Sequence, residues 1–159
     1  MNKIENTIDT FYKAFAKRDF ATMNKFYHKN AQFTDPVFQY LEGREIQAMW
    51  HMLCEAGKDL QISHSPIGVY DNSARVTWKA VYTFGKTGRI VHNEIQAEFF
   101  IKDNLIINHF DSFNLYRWAQ MALGATGLLL GWTSYVQNRI KSDAKNQLKK
   151  FIKSHPQYR

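Results

Sequence analysis

The sequence predicts one α+β domain, because its hydrophobic spacing is helical near the start, strictly alternating in the middle, and helical again at the end. The two periods occupy separate stretches instead of interleaving, which argues against a parallel sheet built from βαβ units. With 159 residues, 45% hydrophobic and 15% aromatic, the chain is long and apolar enough for one packed core.

Asn6 or Thr7 is the expected start of a first helix, in which Ile8, Phe11, Tyr12 and Phe15 recur at helical spacing. A second short helix follows Asp19, with Met23 and Phe26 turned inward. The stretch YHKNAQFTDPVFQYLEG reads as a loop, since Asp-Pro breaks any helix and Gly43 ends it. Ile46, Met49, Trp50 and Leu53 mark a third helix that stops near Gly57. Four alternating runs follow, roughly 59–70, 74–84, 90–102 and 105–114, joined by DNS, GKTG and KDN. Such short connections make the strands antiparallel hairpin neighbours. Residues 115–123 predict another helix, GATG a turn, and Trp132, Tyr135, Val136, Ile140, Leu148, Phe151 and Ile152 a helical stripe with lysines opposite.

Alternation also assigns faces. Val76, Trp78, Ala80, Tyr82 and Phe84 share the apolar side of one strand, and Val91, Asn93, Ile95, Ala97 and Phe99 that of the next. On the last strand the parity Leu105, Ile107, His109, Asp111 and Phe113 faces inward, against the half-apolar alternative Ile106, Asn108, Phe110 and Ser112. His109, Asp111 and Asn93 then point into an aromatic interior. Buried polar groups need partners, so this cluster is either a satisfied core network or a site.

The formal charge is +7, but residues 137–159 hold seven basic residues and one acid. The basicity therefore belongs to the end of the chain. No RNA-binding motif or interleaved sheet aromatics accompany it, which sets nucleic acid aside. The single Cys54 excludes an intramolecular disulfide, and the opening residues lack a signal-peptide core. No run reaches the ~20 apolar residues of a membrane span. A cytoplasmic setting is the expectation. His28, His51, His64, His92 and His155 show no HxH or HExxH spacing, so no metal is expected.

The order helix, helix, Asp-Pro loop, helix, long hairpins resembles the nuclear transport factor 2-like superfamily, through RDF at 18–20, FTDPVF at 33–38 and HFDSFNLYRW at 109–118. Within it the chain resembles the SnoaL-like, ketosteroid-isomerase and limonene-epoxide-hydrolase branches over residues 4–118. The resemblance implies a cone-like barrel, a curved antiparallel sheet wrapped around the N-terminal helices, with an apolar pocket and a homodimer. It divides the chain into a domain at 1–118 and a basic amphipathic extension at 119–159.

Asp35 corresponds to the isomerases' base, which moves a proton beside a carbonyl; it reads equally as a turn residue capping backbone N–H groups. The isomerase's oxyanion tyrosine would fall on Phe11, with Tyr12 ~100° around the helix, and its sheet aspartate near Ala97. Asp111 corresponds to an aspartate of the epoxide hydrolases, but their Arg and Asp on the preceding strand are here Trp78 and Ala80. The Tyr and Asn that position water in that family become Phe33 and Asp35. Both of those specific activities are therefore disfavoured. Asp111 reads equally as a structural carboxylate fixing the following helix, or pairing with Arg117.

The expected site has Asp35, Asp111 and His109 as catalytic residues. Phe11, Phe15, Phe33, Trp50, Trp78, Tyr82, Asn93, Ile95, Phe113 and Trp118 line its pocket. No cofactor is called for. Two functions follow: a cofactor-independent isomerase or cyclase acting on a hydrophobic small molecule, or a binder of such a molecule. The C-terminal helix is expected to cover its own domain or a twin subunit, with an anionic membrane surface as the alternative.

Overall fold

The computed structural model describes residues 2–159. Helix α1 (Lys3–Ala16) starts earlier than its apolar stripe suggests. Asn2 and Glu5 form a reciprocal capping box that satisfies two N-terminal donors. Asp19 caps α2 (Phe20–Asn24) by accepting from Thr22 N–H.

The stretch expected to be a loop contains two strands, β1 (Tyr27–Thr34) and β2 (Leu41–Glu42), reversed by the Asp-Pro turn. Strand β1 is hidden in the sequence because a register shift between Tyr27 and Gln32 interrupts its alternation. Helix α3 (Arg44–Ala56) follows and ends at Gly57.

The first expected strand is split into β3 (Gln61–His64) and β4 (Gly68–Tyr70), both paired with β5 (Ser73–Phe84). Pro66 lies in the gap, where a residue without an N–H cannot continue the ladder. Strands β5, β6 (Arg89–Lys102) and β7 (Leu105–Ser112) form the long antiparallel core. Asp103 and Asn104 join β6 to β7 with φ of 53° and 64°, the left-handed pair a tight hairpin requires.

The seven strands form one sheet in the order β2-β1-β7-β6-β5-β3, with β4 also on β5. It is antiparallel except at β1–β7, which run parallel with Phe33 opposite His109. This curved, unclosed sheet wraps the apolar face of α1, as the cone-like α+β fold implies. Ile8, Phe11, Tyr12 and Phe15 are buried against it.

The inward parity of β7 holds for His109, Asp111 and Phe113 but switches below them. Ile106, not Ile107, is the buried residue. A bulge shifts the register between Phe100 and Ile101, so the alternation changes phase there.

Helix α4 (Leu115–Leu123) is capped by Asn114, which accepts from Arg117 N–H. Gly124, at φ 64°, makes a turn, but the rest of GATG already belongs to a helix, α5 (Ala125–Leu130). Gly127 permits α5 to lie on α4, because a Cβ there would collide with the Ala119 carbonyl. Helix α6 (Ser134–Ser154) and a 3₁₀ turn (Pro156–Tyr158) complete the chain.

Leu148 and Tyr158 join the main core, with Phe151 and Ile152 half-buried beside it, and α6 packs on α3. Trp132 and Tyr135, expected on the same stripe, are instead exposed at 66% and 78%. They flank the start of α6, before it reaches α3. No helix among the described residues is long and apolar enough to cross a membrane.

Candidate functional site

The Asp-Pro turn fixes Asp35 at the end of β1. Its Oδ1 accepts from Val37 N–H at 2.7 Å and Phe38 N–H at 2.5 Å, while its own N–H donates to the Phe38 carbonyl. The capping role is real, yet it uses only one carboxylate oxygen. Oδ2 has no hydrogen-bond partner among the described residues.

Burial raises the Asp35 carboxyl to about 7, although the two backbone N–H groups pull it down. The negative charge of Asp111 pushes in the same direction as burial. The parallel β1–β7 register brings the two together. Phe33 faces His109 and Thr34 faces Phe110, so Asp35 follows toward Asp111.

Asp111 is held differently. His109 Nε2 lies 2.9 Å from Asp111 Oδ1, and the Trp78 indole N–H donates to the same oxygen at 3.3 Å. On the other side of the imidazole, Nδ1 lies 2.7 Å from the Tyr27 hydroxyl, which accepts from Trp50 Nε1–H at 3.0 Å.

Trp50 can only donate and a carboxylate can only accept, so the polarity of the chain follows for a neutral imidazole. Trp50 donates to Tyr27, Tyr27 to His109 Nδ1, and His109 Nε2–H to Asp111. The alternative pairing of Asp111 with Arg117 does not occur, since this network and the Asn114 cap serve both ends of that linker. Tyr27 was invisible to sequence reasoning because it lay in the presumed loop. Its burial at the head of β1 is the only local signal.

The expected pocket residues fall into two groups. Phe11, Phe15, Phe33, Trp50, Trp78 and Ile95 are all at most 7% exposed. The aromatic rings among them meet edge-on or tilted, with Phe15 5.0 Å from Trp50 and Phe33 4.9 Å from His109. All six belong to the main buried core.

Tyr82, Asn93 and Phe113 are half-buried, and the more deeply buried Trp118 packs beside Tyr82. Tyr82, Phe113 and Val37 touch both the main core and the smaller cluster that α4 builds on Val91. The Tyr82 hydroxyl accepts from Trp118 Nε1–H at 2.8 Å, and its own proton has no acceptor among the described residues. Burial raises its pKa, and the Asp35 charge adds to the rise. The Asn93 amide has no side-chain hydrogen bond either.

Tyr12, beside the position where an oxyanion tyrosine was sought, points its hydroxyl into the core with no partner. Burial first, then the charge of Asp111, raises its pKa well above the usual value. Two open hollows of the surface lie elsewhere. One of about 260 Å³ is lined by Ser63, His64, Ser65, Thr77 and Lys79. Another of about 200 Å³ lies on the outer sheet face beside Phe110.

Residues 8–109 match the SnoaL-like domain. Among solved structures of similar fold, an LEH-like epoxide hydrolase from M. tuberculosis is 16% identical at a TM-score of 0.64, covering 81% of this chain and 96% of that one. IdmH from Streptomyces antibioticus, a proposed polyketide cyclase, is also 16% identical at a TM-score of 0.66, covering 78% of this chain and all (100%) of that one. An NTF2-like protein of unknown function from Burkholderia pseudomallei is 12% identical at a TM-score of 0.67, covering 76% of this chain and 98% of that one. No curated relative matches the sequence. At these identities the structural likeness speaks for the fold alone.

Proposed function

Because the chain belongs to the SnoaL-like domain family, we propose that it is a cofactor-independent enzyme that moves a proton beside a carbonyl of a hydrophobic small molecule, as an isomerase or cyclase does. The observation that carries this reading is Asp35. It has one carboxylate oxygen pinned by the backbone, one unengaged, and a pKa raised to about 7 by burial. A general base works best when its pKa lies near the working pH. Asp35 Oδ2 takes the proton from carbon and returns it to another position.

Proton abstraction next to a carbonyl leaves negative charge on oxygen, which needs donors already in place. Phe11 supplies none, but the Tyr82 O–H and the Asn93 amide are uncommitted on the paired strands β5 and β6. Trp118 donates to Tyr82 and so polarises its O–H for donation. The negative charge of Asp111 adds to burial in raising the Asp35 pKa.

The test is deuterium incorporation from D₂O into a panel of polycyclic and long-chain ketones. Wild type is expected to exchange an α-hydrogen, with a rate rising through pH of about 7. D35N is expected to lose the exchange while remaining folded. Equal exchange by D35N would refute the assignment.

A second reading, binding without turnover, is favoured by Phe11, which stands where the isomerases' oxyanion tyrosine would fall and has no hydroxyl. Native mass spectrometry of the purified chain distinguishes it: a co-purified lipophile with no exchange in any ketone supports binding alone. Homodimerisation is proposed through the outer sheet face, where Phe100 and Phe110 are exposed and meet edge-on at 6.1 Å. A monomer by light scattering refutes it. The exposed Leu128, Leu129, Trp132 and Tyr135 support membrane-surface contact as the lesser role.

A further inference from the structure

A second cluster of chemically capable side chains lies away from Asp35, where the end of the chain meets α3. His51 and Glu55 are one helical turn apart on α3, and His155 arrives just after α6. One ligand atom of each lies within 4.8 Å of the others.

The hydrogen bonds around both rings favour metal binding. His155 Nδ1 is 2.8 Å from the Phe151 carbonyl oxygen. That oxygen can only accept, so Nδ1 carries the proton and Nε2 keeps its lone pair free. His51 Nδ1 is 2.9 Å from the Tyr158 hydroxyl and Nε2 is 3.0 Å from Glu55 Oε1. A hydroxyl both donates and accepts, so Tyr158 can take the ring proton's hydrogen bond once Nε2 turns to a metal. Such outer partners are what orient imidazole ligands. Stacking fixes the rings further, His51 on Phe20 at 3.7 Å and His155 on Phe151 at 3.9 Å.

We propose that His51, Glu55 and His155 bind one late first-row divalent transition metal ion, Zn²⁺ foremost, which fastens the C-terminal tail to α3. Two imidazoles and a carboxylate suit Zn²⁺ with water in the fourth position, whereas Mg²⁺ and Ca²⁺ prefer all-oxygen sites. Bonds of about 2.1 Å put tetrahedral donors roughly 3.4 Å apart, so the cluster closes by an ångström or so. Glu55 is exposed, and its side chain is free to make that movement toward the two fixed rings. The absence of HExxH spacing does not bear on this site, because His155 is delivered by the packing of α6 on α3.

The experiment is calorimetric titration of the chelator-stripped full chain with ZnCl₂. One ion per chain is expected, with a rise in Tm on binding. E55Q and H155A remove ligands that do not sit in the core, and each is expected to weaken binding at least tenfold. Y158F, which removes only the outer hydrogen bond, is expected to weaken it about tenfold. H92A, an exposed histidine elsewhere, is expected to bind as wild type does. No binding by wild type, unchanged affinity in both E55Q and H155A, or an equal loss in H92A overturns the proposal.

Discussion

Replacing Asp35 by Asn separates its electrostatic cost from its role in the turn. Asn retains a carbonyl oxygen for the Val37 and Phe38 N–H groups, so the reversal between β1 and β2 survives. What disappears is the ability to ionise. In the folded chain Asp35 holds its proton up to about 7, against 3.8 when unperturbed. Between those values the native state binds a proton that the unfolded state has released, so stability falls as pH rises through the window.

At about 1.4 kcal/mol per unit, the whole rise corresponds to about 4 kcal/mol, present below pH of about 4 and lost above about 7. Partial access of water to Asp35 makes that an upper bound, and a loss of about 2–4 kcal/mol is expected. Urea denaturation of both proteins across pH of about 4 to 8 measures it. The two should have similar stability at the acid end, and D35N should gain over wild type as pH rises. Parallel curves with a constant difference would show that Asp35 is ionised throughout and would remove the basis for assigning it as a neutral-pH base.

Other substitutions test the packing around the site. Tyr27→Phe leaves Trp50 N–H and His109 Nδ1 unpaired in the core and should cost about 2–4 kcal/mol by urea denaturation. A change below about 0.5 kcal/mol would mean the relay is not formed. Tyr12→Phe removes a buried hydroxyl that has no partner, so it should be neutral or stabilising by about 1 kcal/mol, and a clear loss of Tm would reveal an unrecognised acceptor. Gly127→Ala drives a methyl into the Ala119 carbonyl and should cost about 1–3 kcal/mol, with earlier proteolytic cleavage near α5. Wild-type resistance in that variant would contradict the α4–α5 contact.

Local periodicity determined much of this protein. The helical spacing of Ile8, Phe11 and Phe15, the alternation from Val76 to Phe84 and from Val91 to Phe99, and the hairpin turn at Asp103–Asn104 were all legible, because each depends on neighbours in sequence.

The rest depends on partners far along the chain. Strand β1 is stabilised by a parallel pairing with β7 that no local pattern encodes, and that pairing brings Asp35 toward Asp111, whose charge adds to the rise in pKa that burial causes. The bulge at Phe100–Ile101 moved the buried position from Ile107 to Ile106 for the same reason. Tyr27 became the link between Trp50 and His109 only when three elements met. Phe11, Phe15, Phe33, Trp50 and Trp78 close-pack, since complementary ring geometry is a property of the assembled core. His155 reached His51 because Leu148, Phe151 and Tyr158 seek the same apolar surface. Composition sets which side chains are available, and burial against distant elements decides which of them acquire unusual chemistry.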